Sequence, residues 1–327
     1  MKKFTITEQY QNWRLDKFLT EKLGETRSQI QKKIKTSQFL VNDGVPSVHQ
    51  FLEIGDVIKI KTTKEKAAHF DEKNVKSSIL GIIRKKPGIP VPTILIKEKE
   101  YLVIEKPAGL LVHSGQDRSE PTLVDWLIKK FPKIKKVGDA VALERNENLF
   151  RPGIVHRLDR KVSGLMIIAL TQSAFDYLKS QFKLKNVRKD YIALVSDVIP
   201  KEDGEINFPI HRSHAGKLVA LALNADKGQS AHTEFEVLQR FHNHTLVQLK
   251  PLTGRTNQLR IHMSAYNHPI VGDDVYASRK FQIREKIKLN RIFLHAAHLF
   301  FVDPDGKQVD ITSPLPEELD EILKKLK

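Results

Sequence analysis

The sequence predicts an α+β fold with a large, mostly antiparallel mixed sheet, preceded in sequence by a small α/β module at the N-terminus. Two observations predict this class. From residue 93 onward, apolar and mostly β-branched runs of strand length outnumber the segments of helical period, and the two kinds do not alternate regularly. A regular alternation would instead indicate a parallel sheet with crossover helices. Residues 12–62 form a separate pattern of two short helices and a few short strands between turn residues.

The N-terminal module is predicted to open with an amphipathic helix over residues 14–24. Thr26 and Ser28 are suitable caps for a second helix. Strands are predicted at 39–41 and 57–60, with an Asn-Asp-Gly turn after the first. The second helix carries three lysines, which indicate either a polyanion-binding surface or an ordinary solvated face: Lys32, Lys33 and Lys35.

The predicted boundaries are 1–65 for the N-terminal module, 66–92 for a linker and 93–327 for the larger domain. The linker is polar and punctuated by Pro and Gly, although its apolar residues 79–83 could form one strand. In the larger domain, strands are predicted at 94–96, 101–104, 166–170 and 191–195. Helices are predicted at 122–131, 172–185 and 316–326.

The composition indicates a partner rich in phosphate. The chain has 55 Lys and Arg residues against 39 Asp and Glu residues, which gives a formal net charge of +16. Such a surplus attracts polyanions, of which nucleic acid is the commonest. We predict no membrane association, because no apolar run of about 18 residues is present and the N-terminus lacks the apolar stretch of a signal peptide. The absence of cysteine excludes disulfides, thiolate nucleophiles and Cys-ligated zinc, and it fits the cytoplasmic location that we expect.

The strongest chemical signal is the string HRLDRKVSGL at residues 156–165, directly before a predicted strand. Asp159 lies between Arg157 and Arg160, and nearby positive charge keeps a carboxylate ionised. A loop that leads into a rigid strand is a usual place for a catalytic group. The alternative is an ordinary loop Asp neutralised by local arginines, which a bare Arg-x-Asp-Arg would favour.

Three other segments of the larger domain carry candidate residues. In EKPAGLLVH a turn of fixed geometry is favoured, although Lys106 and His113 could face a phosphate. VRKDYIALV contains Tyr191, and LTGRTNQLRIH contains Arg255 and Arg260. A lone Tyr at the start of a strand is more often a core residue than a catalytic one.

The string at 156–165 closely resembles the catalytic motif of the RluA-type pseudouridine synthases, and the segments around Tyr191 and Arg260 follow in the family's order. The resemblance covers about residues 93–302. It implies that Asp159 is the catalytic carboxylate, that Tyr191 lies against the target base and that Arg260 pairs with Asp159. It also implies the isomerisation of uridine to pseudouridine in RNA, which requires no redox change, metal or nucleotide cofactor.

The N-terminal module resembles the RNA-binding domain first described in ribosomal protein S-four, over about 50 residues. The matching segments are RLD at 14–16, the second helix, VNDG at 41–44 and GDVI at 55–58. We therefore expect structured RNA as the partner of a monomeric enzyme, with ribosomal RNA favoured and transfer RNA next. The residues predicted to contact RNA are Arg157, which would fill the space left by a flipped-out uridine, and His156, Arg160, Lys106, Arg255, Lys32, Lys33 and Lys35.

Two other functions are alternatives at this point. A non-catalytic RNA-binding or ribosome-assembly factor could keep the fold, but the presence of Asp159, Tyr191 and Arg260 argues against it. A nucleic-acid hydrolase would need paired carboxylates for metal ions, which the sequence pattern does not offer. The histidine pairs at 211/214, 242/244 and 295/298 have no cysteine partners and no His-Glu-x-x-His run, so no metal site is predicted.

The chain departs from the family pattern at three positions. Asn257 stands where His is usual, Val162 where Thr is usual, and Glu105 where Asn or Asp is common. None of the three removes a residue assigned to the chemistry. Asn257 and Val162 bear instead on the contacts that select the substrate.

Overall fold

The computed structural model describes residues 3–35, 38–42, 44, 46–47, 50–60, 90–113, 120–139, 151–213, 217–221 and 228–326, without the side chains of Ser28, Lys32 and Lys35. The chain divides into two compact units, Met1–Lys86 and Pro87–Lys327, each with an apolar core. The predicted linker at 66–92 falls almost entirely outside the described residues, as does the strand considered at 79–83. In the described part, no helix has the length and apolar character that a membrane span requires.

The first unit combines two helices with a three-stranded antiparallel sheet in the order β1-β3-β2. Its elements are β1 Lys3–Thr5, a 3-10 helix Glu8–Tyr10, α1 Leu15–Leu23, α2 Arg27–Lys35, β2 Phe39–Val41 and β3 Val57–Ile60. α1 ends at Gly24, whose φ of 67° lies in the left-handed region that glycine adopts without strain. Both predicted helices and both predicted strands are present. β1 was not predicted: it is as short as β2 but, unlike β2, it is not followed by an Asn-Asp-Gly turn that marks its end.

The second unit is built on a nine-stranded sheet within the described residues, in the order β4-β5-β6-β13-β7-β12-β11-β8, with β14 beside β13. The strands of the whole unit, including two that lie outside this sheet, are β4 Thr93–Lys97, β5 Tyr101–Lys106, β6 Ser163–Ala169, β7 Arg188–Ser196, β8 Asp203–Ile206, β9 Ile210–Arg212, β10 Leu218–Ala220, β11 Thr233–Arg240, β12 His244–Pro251, β13 Leu294–Val302 and β14 Gln308–Thr312. β9 and β10 form a separate hairpin. Every neighbouring pair in the large sheet is antiparallel except β6 with β13, which is parallel. The predicted fold class is confirmed.

Helices cover and flank this sheet. They are α3 Leu123–Lys130, a 3-10 helix Pro132–Lys136, α4 Gln172–Lys183, α5 Gln258–Ala265, α6 Arg279–Arg284 and α7 Glu317–Lys325. The three helices predicted in this domain are α3, α4 and α7. α3 begins with a capping box, in which the Thr122 hydroxyl accepts from the Asp125 amide while the Asp125 carboxylate accepts from Thr122. α5 was not predicted: it starts without a side-chain cap, and its polar residues are buried with its apolar ones.

The parallel contact between β6 and β13 depends on a glycine. Gly164 has a φ of 122°, and a Cβ atom there would lie 2.4 Å from the Ala296 carbonyl oxygen. A side chain at this position would therefore force the strands apart. Ala296 pairs with Gly164 on one side and with Tyr191 on the other. β13 thus joins the strand that follows the Asp159 loop to the strand that carries Tyr191.

Candidate active site

A cavity of about 820 Å³ in the second unit brings the three predicted catalytic residues together. Asp159 comes from the loop before β6, Tyr191 from the middle of the sheet on β7, and Arg260 from the first turn of α5. Arg157 and Arg255 also line the cavity. These residues are spread over about 100 positions of the sequence, so the fold and not chain proximity creates the site.

Arg260 holds two carboxylates at once. Its Nη1 lies 2.9 Å from Asp159 Oδ2, which is the pairing that the family resemblance implies. Its Nε and Nη2 lie 2.7 and 2.9 Å from the two oxygens of Asp273, a bidentate ion pair. Asp273 is only 1% exposed, whereas Asp159 is 21% exposed. Asp273 therefore anchors the guanidinium, and Asp159 is the carboxylate that a ligand can reach.

Asp273 is fixed by its own backbone surroundings. Its Oδ1 accepts hydrogen bonds from the backbone amides of Val275 and Tyr276, each at 3.0 Å. The preceding Gly272 has a φ of 81°, and a Cβ atom there would lie 2.1 Å from a backbone oxygen. No role for Asp273 is predicted from the sequence. Its position eleven residues after His262, in a segment shared with the family, was the available signal.

Asn257 also touches Asp159. The amide orientation that satisfies both of its neighbours places its nitrogen 2.9 Å from each oxygen of Asp159 and its oxygen 2.9 Å from the Tyr276 hydroxyl. The Asn257 backbone is in the left-handed region, with a φ of 57°. The residue is the N-terminal neighbour of α5, three positions before Arg260.

Tyr191 is buried at the cavity wall, 9% exposed. Its strand pairs with β12 through Leu249 and with β13 through Ala296. Burial, together with the negative charge of Asp159, raises the pKa of the Tyr191 hydroxyl above its ordinary range. The hydroxyl is therefore protonated at neutral pH and can donate a hydrogen bond into the cavity.

The two arginines that flank Asp159 in sequence point elsewhere. Arg157 Nη1 lies 3.4 Å from His113 Nε2, and the Arg160 guanidinium binds Glu120 at 2.8 Å and the Gly109 carbonyl at 3.2 Å. In the described residues neither arginine contacts Asp159. The direct ion-pair contact with Asp159 comes from Arg260 instead. Arg157 is exposed at the cavity.

The histidines near this loop are neutral. His156 Nε2 accepts a hydrogen bond from the Ile167 amide at 2.9 Å, and its ring stacks on Phe182 with centroids 4.7 Å apart. Burial and the nearby charge of Lys189 lower the pKa of His156 to about 3. Burial and the Arg157 charge lower the pKa of His113 to about 4. Neither ring offers a positive charge to a phosphate at neutral pH.

Lys106 has no access to RNA. Its side chain is fully buried, and its Nζ donates to the carbonyl oxygens of Pro107 at 2.8 Å, Leu110 at 2.9 Å and Arg160 at 3.5 Å. The prediction that Lys106 contacts RNA is therefore wrong, because its three acceptors are inside the protein. Lys106 instead ties the turn after β5 to the Asp159 loop, and the Gly109 amide reinforces this tie by donating to the Arg160 carbonyl at 2.7 Å.

The remaining predicted RNA contacts have different surroundings. Arg255 is exposed, and its Nε donates to the Ser230 carbonyl at 2.9 Å. Lys33 forms an ion pair with Glu25 on the first unit. The side chains of Lys32 and Lys35 lie outside the described residues.

One group in the described part of the chain could offer several ligands to a metal ion. Possible ligand atoms of Glu205, His232 and Glu234 lie within 4.8 Å of one another, at the β8–β11 edge of the sheet. His232 was not among the histidine pairs considered from the sequence. His298, which was, binds Asp190 at 2.9 Å. The expected absence of a metal stays a prediction.

Comparison with known proteins gives consistent similarities. Residues 100–265 match the family described as RNA pseudouridylate synthase. The chain is 32% identical over 326 residues to the ribosomal large subunit pseudouridine synthase C of Vibrio vulnificus (strain CMCP6), covering 98% of this chain and 95% of that protein. It is 31% identical over 329 residues to the ribosomal large subunit pseudouridine synthase D of Zymomonas mobilis subsp. mobilis (strain ATCC 31821 / ZM4 / CP4), covering 98% and 96%. The solved structure of human RNA pseudouridylate synthase domain containing 4 matches with a TM-score of 0.53 and 26% identity, covering 78% of this chain and 97% of that one.

Proposed function

The chain belongs to the RNA pseudouridylate synthase family and is an RNA pseudouridine synthase, an isomerase, and we propose that it modifies uridines of ribosomal RNA with Asp159 as its catalytic carboxylate. The observation that carries the assignment is the position of Asp159. It is partly exposed in a cavity of about 820 Å³, with Arg260 bound to one of its oxygens. Relatives named for the large ribosomal subunit support ribosomal RNA as the substrate class.

The reaction needs an ionised carboxylate and a pocket that retains the freed base. The bond from the ribose C1′ to the uracil N1 breaks, and a bond from C1′ to C5 forms. The C5 proton is lost and N1 gains one, so atoms balance without a co-reactant. Asp159 assists glycosidic cleavage as a carboxylate does in glycosidases. Arg260, itself anchored by Asp273, supplies the counter-charge to Asp159 and directs it into the cavity.

The target uridine must leave its stack before Asp159 can reach it, at a cost of a few kcal/mol. Arg157, exposed two residues before Asp159, fills the vacated space with its planar guanidinium. Tyr191 stacks on the extruded uracil, and its hydroxyl takes part in proton transfer. Arg255, exposed at the cavity wall, contacts the RNA backbone.

The N-terminal unit serves as an RNA-binding module of the ribosomal protein S-four type. Its support is the resemblance in sequence, together with two short helices on a three-stranded sheet. The buried Asp16 accepts hydrogen bonds from Arg14, Arg27 and Gln31, at 2.9, 3.0 and 2.6 Å. Asp16 thereby fixes the start of α1 against α2, which carries the basic residues proposed to contact phosphates.

The test compares pseudouridine in ribosomal RNA from cells with the gene, without it, and with an Asp159→Asn copy. Carbodiimide mapping and mass spectrometry should find one or more positions that are lost in both altered strains. Purified Asp159→Asn should bind the same RNA within about twofold of wild type, since the amide is nearly the same shape. An Asp320→Asn copy, altered at a partly exposed carboxylate of α7 that lies outside the cavity, is the matched control and should restore the modification.

The test separates the role of Asp159 from the class of RNA that is modified. Turnover by Asp159→Asn at the wild-type rate would refute the role of Asp159. Unchanged ribosomal RNA in the deletion strain, with pseudouridine lost from transfer RNA, would refute the substrate class and leave the enzyme assignment intact.

A further inference from the structure

We propose that Asn257 is a positioning residue for the catalytic carboxylate: its side-chain amide, hydrogen-bonded to the Tyr276 hydroxyl, orients Asp159 together with Arg260. The inference rests on the proposed role of Asp159. It goes beyond the Asp159–Arg260 pair, because it assigns a second, uncharged donor to the same carboxylate.

The contacts of the amide define this role. In the orientation that satisfies both of its neighbours, the amide nitrogen lies 2.9 Å from both Oδ1 and Oδ2 of Asp159, so it bridges the two oxygens. Arg260 Nη1 contacts Oδ2 alone, at 2.9 Å. A single contact to one oxygen lets a carboxylate rotate about its Cβ–Cγ bond, whereas a donor shared by both oxygens resists that rotation. Asn257 therefore sets the plane of the carboxylate, and Arg260 supplies its counter-charge.

The carboxylate of Asp159 decides which way the amide faces, because it can only accept hydrogen bonds, whereas the Tyr276 hydroxyl can donate or accept. With the nitrogen turned toward Asp159, the Asn257 oxygen accepts from the Tyr276 hydroxyl at 2.9 Å. The opposite orientation would place the amide oxygen against two carboxylate oxygens, which is repulsive. Tyr276 is itself held in place: its backbone amide donates to Asp273 at 3.0 Å, and its ring centroid lies 4.9 Å from the Arg260 guanidinium carbon.

The backbone makes Asn257 a suitable residue for this position. Its φ of 57° is in the left-handed region, which Asn adopts more readily than most residues with a Cβ atom. It directly precedes α5, so the amide of residue 257 and the guanidinium of residue 260 extend from one turn of the chain. Both donors to Asp159 are therefore placed by the same piece of backbone.

The choice of an amide has a chemical consequence. An amide does not titrate, whereas a histidine at this position would change its charge near pH 6.5. In the described part of the chain, charged or titratable groups near the pair include Arg260, Asp273 and Tyr276, with Tyr191 from β7 and Lys106 from β5. With Asn257 present, the orientation of Asp159 does not depend on the protonation of residue 257.

The main test is Asn257→Gly, because glycine accepts the left-handed backbone and removes only the amide. We expect the single-turnover rate to fall about 10- to 100-fold, as for other groups that orient a reacting residue. The affinity for RNA should stay within about twofold of wild type. Asn267→Gly is the matched control: Asn267 also has a left-handed φ, of 64°, but it is exposed and does not line the cavity.

Two further variants separate positioning from general support of the fold. Asn257→His should recover part of the rate and make the ratio of its rate to that of wild type vary with pH around 6.5. Tyr276→Phe should lower the rate less than Asn257→Gly does, and adding it to Asn257→Gly should cause little further loss, because both act through one amide.

Several results would overturn the inference. These are a wild-type rate for Asn257→Gly, an equal loss in Asn267→Gly, a fall in RNA affinity that accounts for the whole effect, or a pH-independent ratio for an active Asn257→His. If Asp159→Asn is inactive while Asn257→Gly is fully active, the inference alone fails. If Asp159→Asn is active, the proposed function fails first.

Discussion

Arg260 Nη1 lies 2.9 Å from Asp159 Oδ2, a contact that joins residues 101 positions apart in the sequence. The other side of the guanidinium is bound in bidentate fashion to the buried Asp273. Because Asp273 has 1% of its side chain exposed, it cannot exchange this partner for water. The direction from which Asp159 meets its counter-charge is therefore set by a residue that does not face the cavity.

Replacing Asp273 should affect both stability and rate. Asp273→Asn removes one charge of a buried pair, which typically costs about 3–5 kcal/mol of the free energy of unfolding. The released guanidinium should also lower the single-turnover rate by about 10- to 100-fold. Urea unfolding and single-turnover assays measure the two effects. Asp274→Asn, at the adjacent exposed carboxylate, should leave both nearly unchanged; equal behaviour of the two variants would contradict the anchoring role.

Tyr191→Phe tests the hydroxyl separately from the ring. The ring still stacks on the base, so RNA affinity should hold, while loss of the hydrogen-bond donor should lower the rate by about 100-fold or more. Since the pKa of Tyr191 is raised by burial and by Asp159, the wild-type rate should show no inflection from this residue up to pH 10. Tyr177→Phe on α4, outside the cavity, serves as the control. A fully active Tyr191→Phe would leave Tyr191 with a packing role only.

Arg157→Ala should slow the enzyme in a way that depends on how the uridine is presented. If Arg157 fills the space of the flipped base, the loss of rate should be larger for a uridine in a stacked stem than for one in a single-stranded loop. Arg157→Lys keeps the charge but not the planar group, so it should recover little. Arg279→Ala on α6 controls for the loss of one positive charge. Equal losses on both RNAs would count against base replacement.

The three lysines of α2 should contribute to RNA affinity in a salt-dependent manner. Changing Lys32, Lys33 and Lys35 together to Gln should weaken binding and reduce the slope of log K against log salt by up to about 0.9 per lost phosphate contact. Lys33 already forms an ion pair with Glu25, so its contribution to RNA affinity should be the smallest of the three. The control changes three exposed lysines near the C-terminus: Lys307, Lys324 and Lys325. An identical salt slope in both triple variants would reject a specific role for α2.

The buried Asp16 predicts how the first unit responds to acid. Its pKa is lowered from 3.8 to about 2: burial opposes this shift, but hydrogen bonds from Arg27, Gln31 and Arg14 outweigh it. A carboxyl whose pKa is lower in the folded state stabilises the fold above pH 4, and this contribution, about 2 kcal/mol, is lost as the pH falls from 4 to 2.

Asp16→Asn should therefore unfold more easily in urea at pH 7 and lose less stability than wild type between pH 4 and 2. Trp13 and Trp126 are the two tryptophans, one in each unit, so fluorescence in a Trp126→Phe background reports the first unit. Glu8→Gln, at an exposed carboxylate, is the control. A parallel acid response in wild type and Asp16→Asn would contradict the prediction.

The sequence predicted the elements whose patterns are long and regular. The structure contains the strands predicted at 101–104, 166–170 and 191–195 and the helices predicted at 122–131 and 172–185. These elements could be predicted because a continuous apolar run or a helical period is visible within a single segment. The short strands β1, β9 and β10 have no such pattern in their own sequence and could not be predicted from it. Their conformation is decided by partners elsewhere in the chain.

The active site likewise contains residues that could be predicted from the sequence and residues that could not. Asp159, Tyr191 and Arg260 were predicted from a family resemblance, not from their local surroundings. The arginines that neighbour Asp159 in sequence form their contacts with other residues. Lys106 was misjudged because a lysine beside a turn is usually exposed, and only the fold shows three carbonyl oxygens around its Nζ. Asp273 and Asn257 act on Asp159 across loops that are distant in sequence, and no pattern within one segment reveals such a contact.

The position of β13 between β6 and β7 has a consequence for biosynthesis. Both neighbouring strands leave the ribosome more than 90 residues before Ala296, which pairs with each of them. Until then the growing polypeptide contains the HRLDRKVSGL segment and Tyr191 but lacks β13, the strand that pairs with both β6 and β7. The arrangement that holds Asp159 near Tyr191 is therefore complete only after β13 has been synthesised and has paired with both strands.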